Sequence, residues 1–349
     1  MRVLAVVLVV LATSAPAQAG RVSAGYDPQV GRAVIFSPGS GEQNTVTVTA
    51  LGSQITVTDS TSPIVAVGPE CTPSGPTSVV CGEPDRATVA VVVRLGDGDD
   101  SVAMRASLTR SGRREFGVYF AVLDGGPGAD SLSLDSSRAA STVDGGPGND
   151  VIVGGRAVDE VAGGRGDDVV SGGRGNDRVD EGGGNDRIDG GLGRDEVSYF
   201  HAVRAVAASL VTGVARGAGT DRLRRVEDLT GSRFADRFVG NGNPNFLCGW
   251  RGNDAIVGNG GNDHLGQDGC ELGDDRLYGG PGNDTLFSGE GDDLLDGGPG
   301  DDYARGGPGD DLLRFRDGTS DRKVDGGGGS DRAAVDAADR LVLRVEARL

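Results

Sequence analysis

The sequence predicts an all-β chain: a parallel β-roll (β-solenoid) of GGxGxDxUx nonapeptide repeats behind an N-terminal β cap, where U is a bulky aliphatic residue. Three observations predict it. The pattern recurs every nine residues, without a gap, from 145 to 198, and it returns from 231. Glycine supplies 63 of 349 residues and aromatics 4 %, too little large apolar surface for a core of ordinary thickness. Ahead of the repeats, "NTVTVTA" (44–50) and "QITVTDS" (54–60) alternate apolar and polar residues, as half-buried strands do.

Taken in order, residues 1–19 read as a cleavable secretory signal. Arg2 precedes the apolar run 3–12, and Ala17-Gln18-Ala19 is a small-residue cleavage site, so the mature chain begins at Gly20. That run is too short to cross a bilayer, and no later segment is long enough. The expected location is outside the cell. Residues 20–124 form the β cap, with "ATVAVVVRL" (87–95) as its most buried strand. Residues 125–198 are the first array, 199–230 a β spacer, 231–334 the second array and 335–349 a charged tail. Gln267–Gly269 is a three-residue insertion in the second array.

In each copy the glycines supply a turn with positive φ, and about three residues of strand follow, with one aliphatic pointing inward. In the first array those aliphatics are Ile152, Val161, Val170, Val179, Ile188 and Val197. Two copies make one coil, so each turn stacks on the turn eighteen residues away. The sixth-position aspartate then belongs to one of two rows, one on each edge. Asp168 pairs with Asp150 and Asp186, while Asp177 pairs with Asp195 and Asp159.

Stacked glycine turns bring carboxylates and backbone carbonyls together. Hard oxygen donors without His or Cys suit calcium better than magnesium, which demands tighter octahedral geometry. The candidate ligands are Asp130, Asp150, Asp168, Asp177, Asp186 and Asp195 in the first array. In the second they are Asp254, Asp263, Asp275, Asp284, Asp293, Asp302 and Asp311. Three copies depart from the pattern and are expected to bind weakly or not at all, through Ala157, through Asn243 with Asn245, and through Phe234.

Charge agrees. The formal net charge is −18, with −6 in residues 145–198 and −11 in residues 249–314. That surplus matches roughly eight calcium ions, two charges each, and argues against nucleic acid as a partner. An ion at a hundred times its Kd stabilises a fold by about 2.7 kcal/mol. Roughly eight such ions exceed the ~5–15 kcal/mol net stability of a typical domain. The arrays are therefore expected to be disordered without calcium and to fold on binding it.

The repeats resemble the RTX (haemolysin-type) calcium-binding β-roll. That resemblance implies calcium held between turns by the aspartates and loop carbonyls. The spacer, through Asp195, Ser198, Tyr199, Ala202, Leu210, Thr212, Gly213, Asp221, Val226, Glu227, Gly231 and Ser232, is similar to the non-catalytic C-terminal region of serralysin-type metallopeptidases.

No catalytic apparatus is legible. The chain has two histidines, His201 and His264, no HExxH and no G-x-S-x-G. Both histidines are expected at the surface, His264 in a solvent-facing slot. The RGD at 165–167 lies inside a repeat turn rather than a free loop. Arg178, Arg187 and Arg276 suggest an outward arginine stripe. The four cysteines, in an oxidising compartment, are expected to pair as Cys71–Cys81 and Cys248–Cys270. The leading functional reading is a secreted calcium-binding protein with a structural or binding role and no enzyme activity. The alternatives are a calcium-dependent adhesin or surface-layer element, or an enzyme hidden in 20–124, a segment with no histidine. No protein or glycan partner is named by the sequence.

Overall fold

The structure is a computed structural model. It describes residues 20–27, 31–37, 43–51, 54–61, 64–67, 71–81, 89–106, 109–111, 114–116, 118–134, 138–217, 219–267 and 272–348. The expected signal (1–19) and Cys270 lie outside the described residues, so the Cys248–Cys270 pairing does too. The chain divides into two compact units, Met1–Gly193 and Arg194–Leu349.

In the first unit two sheets build up in parallel. One runs Gly31–Ser37, Val89–Arg94, Val118–Asp124, Ala140–Pro147, Asp159–Arg165 and Arg178–Asp180, all parallel neighbours. The other runs Thr45–Leu51, Ser101–Ala106, Ser131–Ser133, Val151–Val153, Val169–Arg174 and Arg187–Leu192. Consecutive copies alternate between sheets, because each holds one turn and one short strand. Ile152 therefore neighbours Val170, and Val161 neighbours Val179.

The cap closes the start of both sheets with antiparallel strands. Gly20–Asp27 pairs with Gly31–Ser37, and Gln54–Asp59 pairs with Thr45–Leu51. Antiparallel partners cover edges that would otherwise present free backbone groups. Cys71 and Cys81 face each other across Cys71–Gly75 and Ser78–Cys81 and form the expected disulfide.

In the second unit one sheet runs Glu196–Ser198, Asp228–Thr230, Phe246–Cys248, His264–Leu265, Thr285–Phe287, Tyr303–Pro308 and Lys323–Gly328. The other runs Ala207–Ser209, Arg237–Val239, Ala255–Val257, Arg276–Tyr278, Leu294–Asp296, Leu312–Phe315 and Arg332–Val335. The spacer supplies the first strand of this second sheet. It also supplies an antiparallel excursion, Val214–Arg216 with Thr220–Arg224. The insertion lengthens one step without breaking register, since His264 neighbours Thr285.

The core of each unit is a double file of aliphatics. Leu123, Val143, Val161 and Val179 line one sheet of the first unit, and Leu132, Ile152, Val170 and Ile188 the other, each at most 2 % exposed. Leu247, Leu265, Leu286 and Ala304 face Ile256, Leu277, Leu295 and Leu313 in the second unit. Burying one such side chain contributes about 1.5–3 kcal/mol, and each copy has only one. Among the described residues no helix is long and apolar enough to cross a membrane.

Two surface expectations are corrected. Arg178, Arg187 and Arg276 are exposed but make no single stripe: Arg178 sits beside Glu160 in one sheet, and Arg187 beside Val169 in the other. Alternation of copies between sheets separates them. His264 is half-buried rather than solvent-facing, because its ring lies between Phe246 (5.2 Å) and Phe287 (5.5 Å). Burial lowers its pKa. His201 is exposed, edge-on to Phe200.

Candidate metal centre

The copy 163–171 shows how the turn is made. Gly164 and Gly166 adopt φ of 101° and 134°, a region side chains resist. A Cβ on Gly164 would also strike the carbonyl of Gly146 one coil away. The glycines are therefore required twice over, by dihedral and by stacking.

Each aspartate at the sixth position is a rung between coils. The Asp130 N–H donates to Asp150 Oδ1, Asp150 N–H to Asp168 Oδ1, and Asp168 N–H to Asp186 Oδ1, each at 2.8 Å. The other edge is a separate row, in which Asp159 N–H donates to Asp177 Oδ1 at 2.9 Å. Asp168 and Asp177 therefore belong to different rows, as expected.

The second unit repeats the scheme. One row links Asp236, Asp254, Asp275, Asp293, Asp311 and Asp331. The other links Asn245, Asp263, Asp284, Asp302 and Asp321.

The second carboxylate oxygen is the notable atom. Oδ2 of Asp130, Asp150, Asp168, Asp254, Asp263, Asp284 and Asp311 is buried and accepts no hydrogen bond. A buried carboxylate left so costs several kcal/mol. Burial accordingly pushes these groups toward the neutral form. Asp130, Asp254, Asp284 and Asp311 are raised to about 7, and Asp168 and Asp263 to about 6, desolvation being the largest cause in each.

What Oδ2 faces is a small cradle. An ideal Cβ built on Gly145 would stand 2.5 Å from Asp150 Oδ2 and 2.5 Å from the Gly163 carbonyl oxygen. On Gly125 it would stand 2.5 Å from Asp130 Oδ2 and from the Gly145 carbonyl. The same pair of oxygens, one carboxylate and one carbonyl from the next coil, flanks Gly172, Gly258, Gly279 and Gly306. Calcium–oxygen distances are about 2.3–2.6 Å. A hard dication fits this cradle in size, charge and donor type.

Not every expected ligand sits beside an open cradle. Asp302 Oδ2 shares the space at Gly297 with the ring of Phe315, so an aromatic edge replaces the carbonyl. At Asp293 the first position is Ser288, fully buried, whose hydroxyl donates to the Gly306 carbonyl at 3.2 Å. At Asp186 it is Glu181, also buried, with carboxylate oxygens of the two within 4.8 Å. Asp195 is buried and its N–H donates to Glu227 Oε2. Asp275 is a buried member of its row, whereas Asp177 Oδ2 stands at the open cradle of Gly172.

In the three departing copies protein groups hydrogen-bond the sixth-position side chain. Asn245 Nδ2 donates to the Glu227 carbonyl, and its Oδ1 accepts the Asn241 N–H. Asp236, in the Phe234 copy, accepts from Ser232 N–H, Ser232 Oγ and Val206 N–H. Asp159, in the Ala157 copy, accepts the Gly155 N–H.

Sequence reasoning missed three members of the rows, Asp100, Asp321 and Asp331, while Asp159 stands beside Asp177 as expected. The signal for Asp100 and Asp331 was present in "LGDGDD" and in the copy 326–334. Asp321 sits in a degenerate stretch with no repeat to mark it. A second set of rungs was also missed. The fifth position, Asn or Asp, forms an exposed ladder of opposite sense: Asp167 N–H donates to Asn149 Oδ1, and Asn185 N–H to Asp167 Oδ1. The RGD aspartate, Asp167, is held in this ladder.

The RTX calcium-binding nonapeptide repeat model matches residues 144–179, 163–197, 230–265, 271–304 and 288–319. These segments are RTX repeats folded as a β-roll. The RTX repeats bind calcium, and the cradles beside the buried Oδ2 atoms supply the donor set for it. The matched RTX segments stop at 197 and resume at 230, on either side of the spacer. The turns at Asp100 and Asp130 precede the first matched segment yet stand in the same row as Asp150. No curated protein matches the chain.

Proposed function

We propose that this RTX β-roll is a secreted, calcium-loaded scaffold that works outside the cell as a structural or binding element and carries no catalytic site. The observation that carries this reading is the file of buried Oδ2 atoms without hydrogen-bond partners, those of Asp130, Asp150, Asp263, Asp284 and Asp311 each facing a carbonyl across a glycine cradle. Calcium supplies the positive charge that such a file requires. Oδ2 of Asp130, Asp150, Asp168 and Asp177 in the first unit, and of Asp254, Asp263, Asp284 and Asp311 in the second, are its ligands, with a carbonyl of the next coil beside all of them but Asp254.

Secretion is supported by the features of residues 1–19 and by the disulfide, which persists in oxidising compartments. A non-enzymatic role is supported by what the site contains: oxygen donors held in fixed turns, and no nucleophile paired with a base. Without the ion, the buried carboxylates and the single aliphatic per copy leave the arrays short of stabilisation, and they unfold.

Crystals grown in calcium chloride, measured for anomalous scattering, test this ligation. Peaks are expected beside Oδ2 of Asp150 and Asp168 in one row and beside Asp177 in another. A peak shared by Asp168 and Asp177, or none in either row, would contradict it.

A further inference from the structure

We propose that the residue at the first position of each copy decides whether its turn takes an ion, and that Leu95 and Ser288 close their turns. The proposal rests on the ligation just described. In an open turn that position is glycine, and the Cβ it lacks would lie 2.5 Å from Oδ2 and from the next carbonyl, as at Gly125 and Gly145. The first carbon of any side chain therefore takes the place of the ion.

Leu95 occupies this position in the earliest copy. Its N–H donates to the Asp124 carbonyl at 2.8 Å, as the Gly125 N–H donates to Asp144 at 2.9 Å. The Asp100 N–H donates to Asp130 Oδ1, as the Asp130 N–H donates to Asp150 Oδ1. Leu95 thus stands to Asp100 as Gly125 stands to Asp130. Its side chain is 0 % exposed, so it is held inside. An isobutyl group offers no ligand and excludes water. Oδ1 of Asp100 takes the ordinary rung, from the backbone N–H and Nδ2 of Asn44, while its Oδ2 is buried without a hydrogen bond, shut in with the Leu95 side chain rather than facing an open cradle.

Ser288 closes its turn differently. It is fully buried, and its hydroxyl donates to the Gly306 carbonyl. That hydrogen bond occupies the oxygen that faces the ion in an open turn. Asp100 and Asp293 are then rungs that carry no calcium, and the ion rows are shorter than the aspartate columns.

Native mass spectrometry of the full chain in saturating calcium counts the ions directly. Leu95→Gly and Ser288→Gly are each expected to add one ion to the wild-type number. Leu95→Ala and Ser288→Ala are expected to add none, because Cβ remains. Gly145→Ala is expected to lose one, which checks the ligation itself. If Gly145→Ala loses its ion while Ser288→Gly keeps the wild-type number, the closing role is overturned and the ligation stands. If Gly145→Ala keeps the wild-type number, the ligation falls and the proposal with it. Ser288→Gly removes only a hydroxymethyl group, so it decides the matter even where Leu95→Gly does not fold.

Discussion

The backbone N–H of Asp150 donates to Oδ1 of Asp168, 2.8 Å away and 18 residues later. One carboxylate thereby does two jobs. Oδ1 ties its coil to the coil before, and Oδ2 is left buried for a cation. Removing the carboxylate should break both. Asp168→Ala is expected to lose one calcium per chain and to cost about 1–3 kcal/mol through the unpaired Asp150 N–H. Calorimetric titration and thermal melts in calcium measure the two effects separately. Asp168→Asn should keep much of the rung and still lose the ion.

The turn glycines give a second expectation. Gly164→Ala places a Cβ at φ of 101° and against the Gly146 carbonyl. Substitution at an incompatible φ destabilises by more than about 1 kcal/mol. A lower melting temperature in saturating calcium is the expected result. An unchanged one would mean that neighbouring coils can separate freely.

How far was this legible from the amino acids alone? The nine-residue period gave the strand alternation, the files Ile152/Val170 and Val161/Val179, and the two rows. Local pattern sufficed there, since every copy has the same neighbours. What depends on a particular neighbour was not legible. Phe315 entering the cradle of Asp302 involves a residue from the next coil's strand, and nothing in the copy 297–305 announces it. The half-burial of His264 likewise depends on Phe246 and Phe287, which flank it only after stacking. Asp321 was missed because its turn retains a single glycine, Gly318, while keeping its rung to Asp302.

Protonation should compete with calcium. Burial raises Asp130, Asp254, Asp284 and Asp311 to about 7, above their unfolded value of 3.8. The folded apo chain then binds more protons than the unfolded chain between about pH 4 and 7. Its stability therefore rises as pH falls through that window and is lowest above pH 7. Calcium needs the charged form, so its affinity falls over the same window. Chelated protein followed by circular dichroism from pH 8 to 5 should gain β signal, while calcium titrations should weaken. Pure loss of structure on acidification of chelated protein would contradict the assignment.

The cap disulfide closes a short loop, with Cys71 and Cys81 separated by 10 positions in sequence. A 15-residue loop is worth about 3 kcal/mol in the chain-entropy estimate, and this one somewhat less. Cys71→Ser with Cys81→Ser is expected to lower the melting temperature of the first unit and to leave the calcium number unchanged. A change in calcium number would tie the cap to the ion rows.

The central claim is that calcium holds the β-roll together. Far-ultraviolet circular dichroism of the full chain, recorded in calcium and again after excess chelator at pH 7.5, tests it most directly. The β signal is expected to collapse on chelation and to return when calcium is restored. An unchanged β spectrum in chelator would contradict the account.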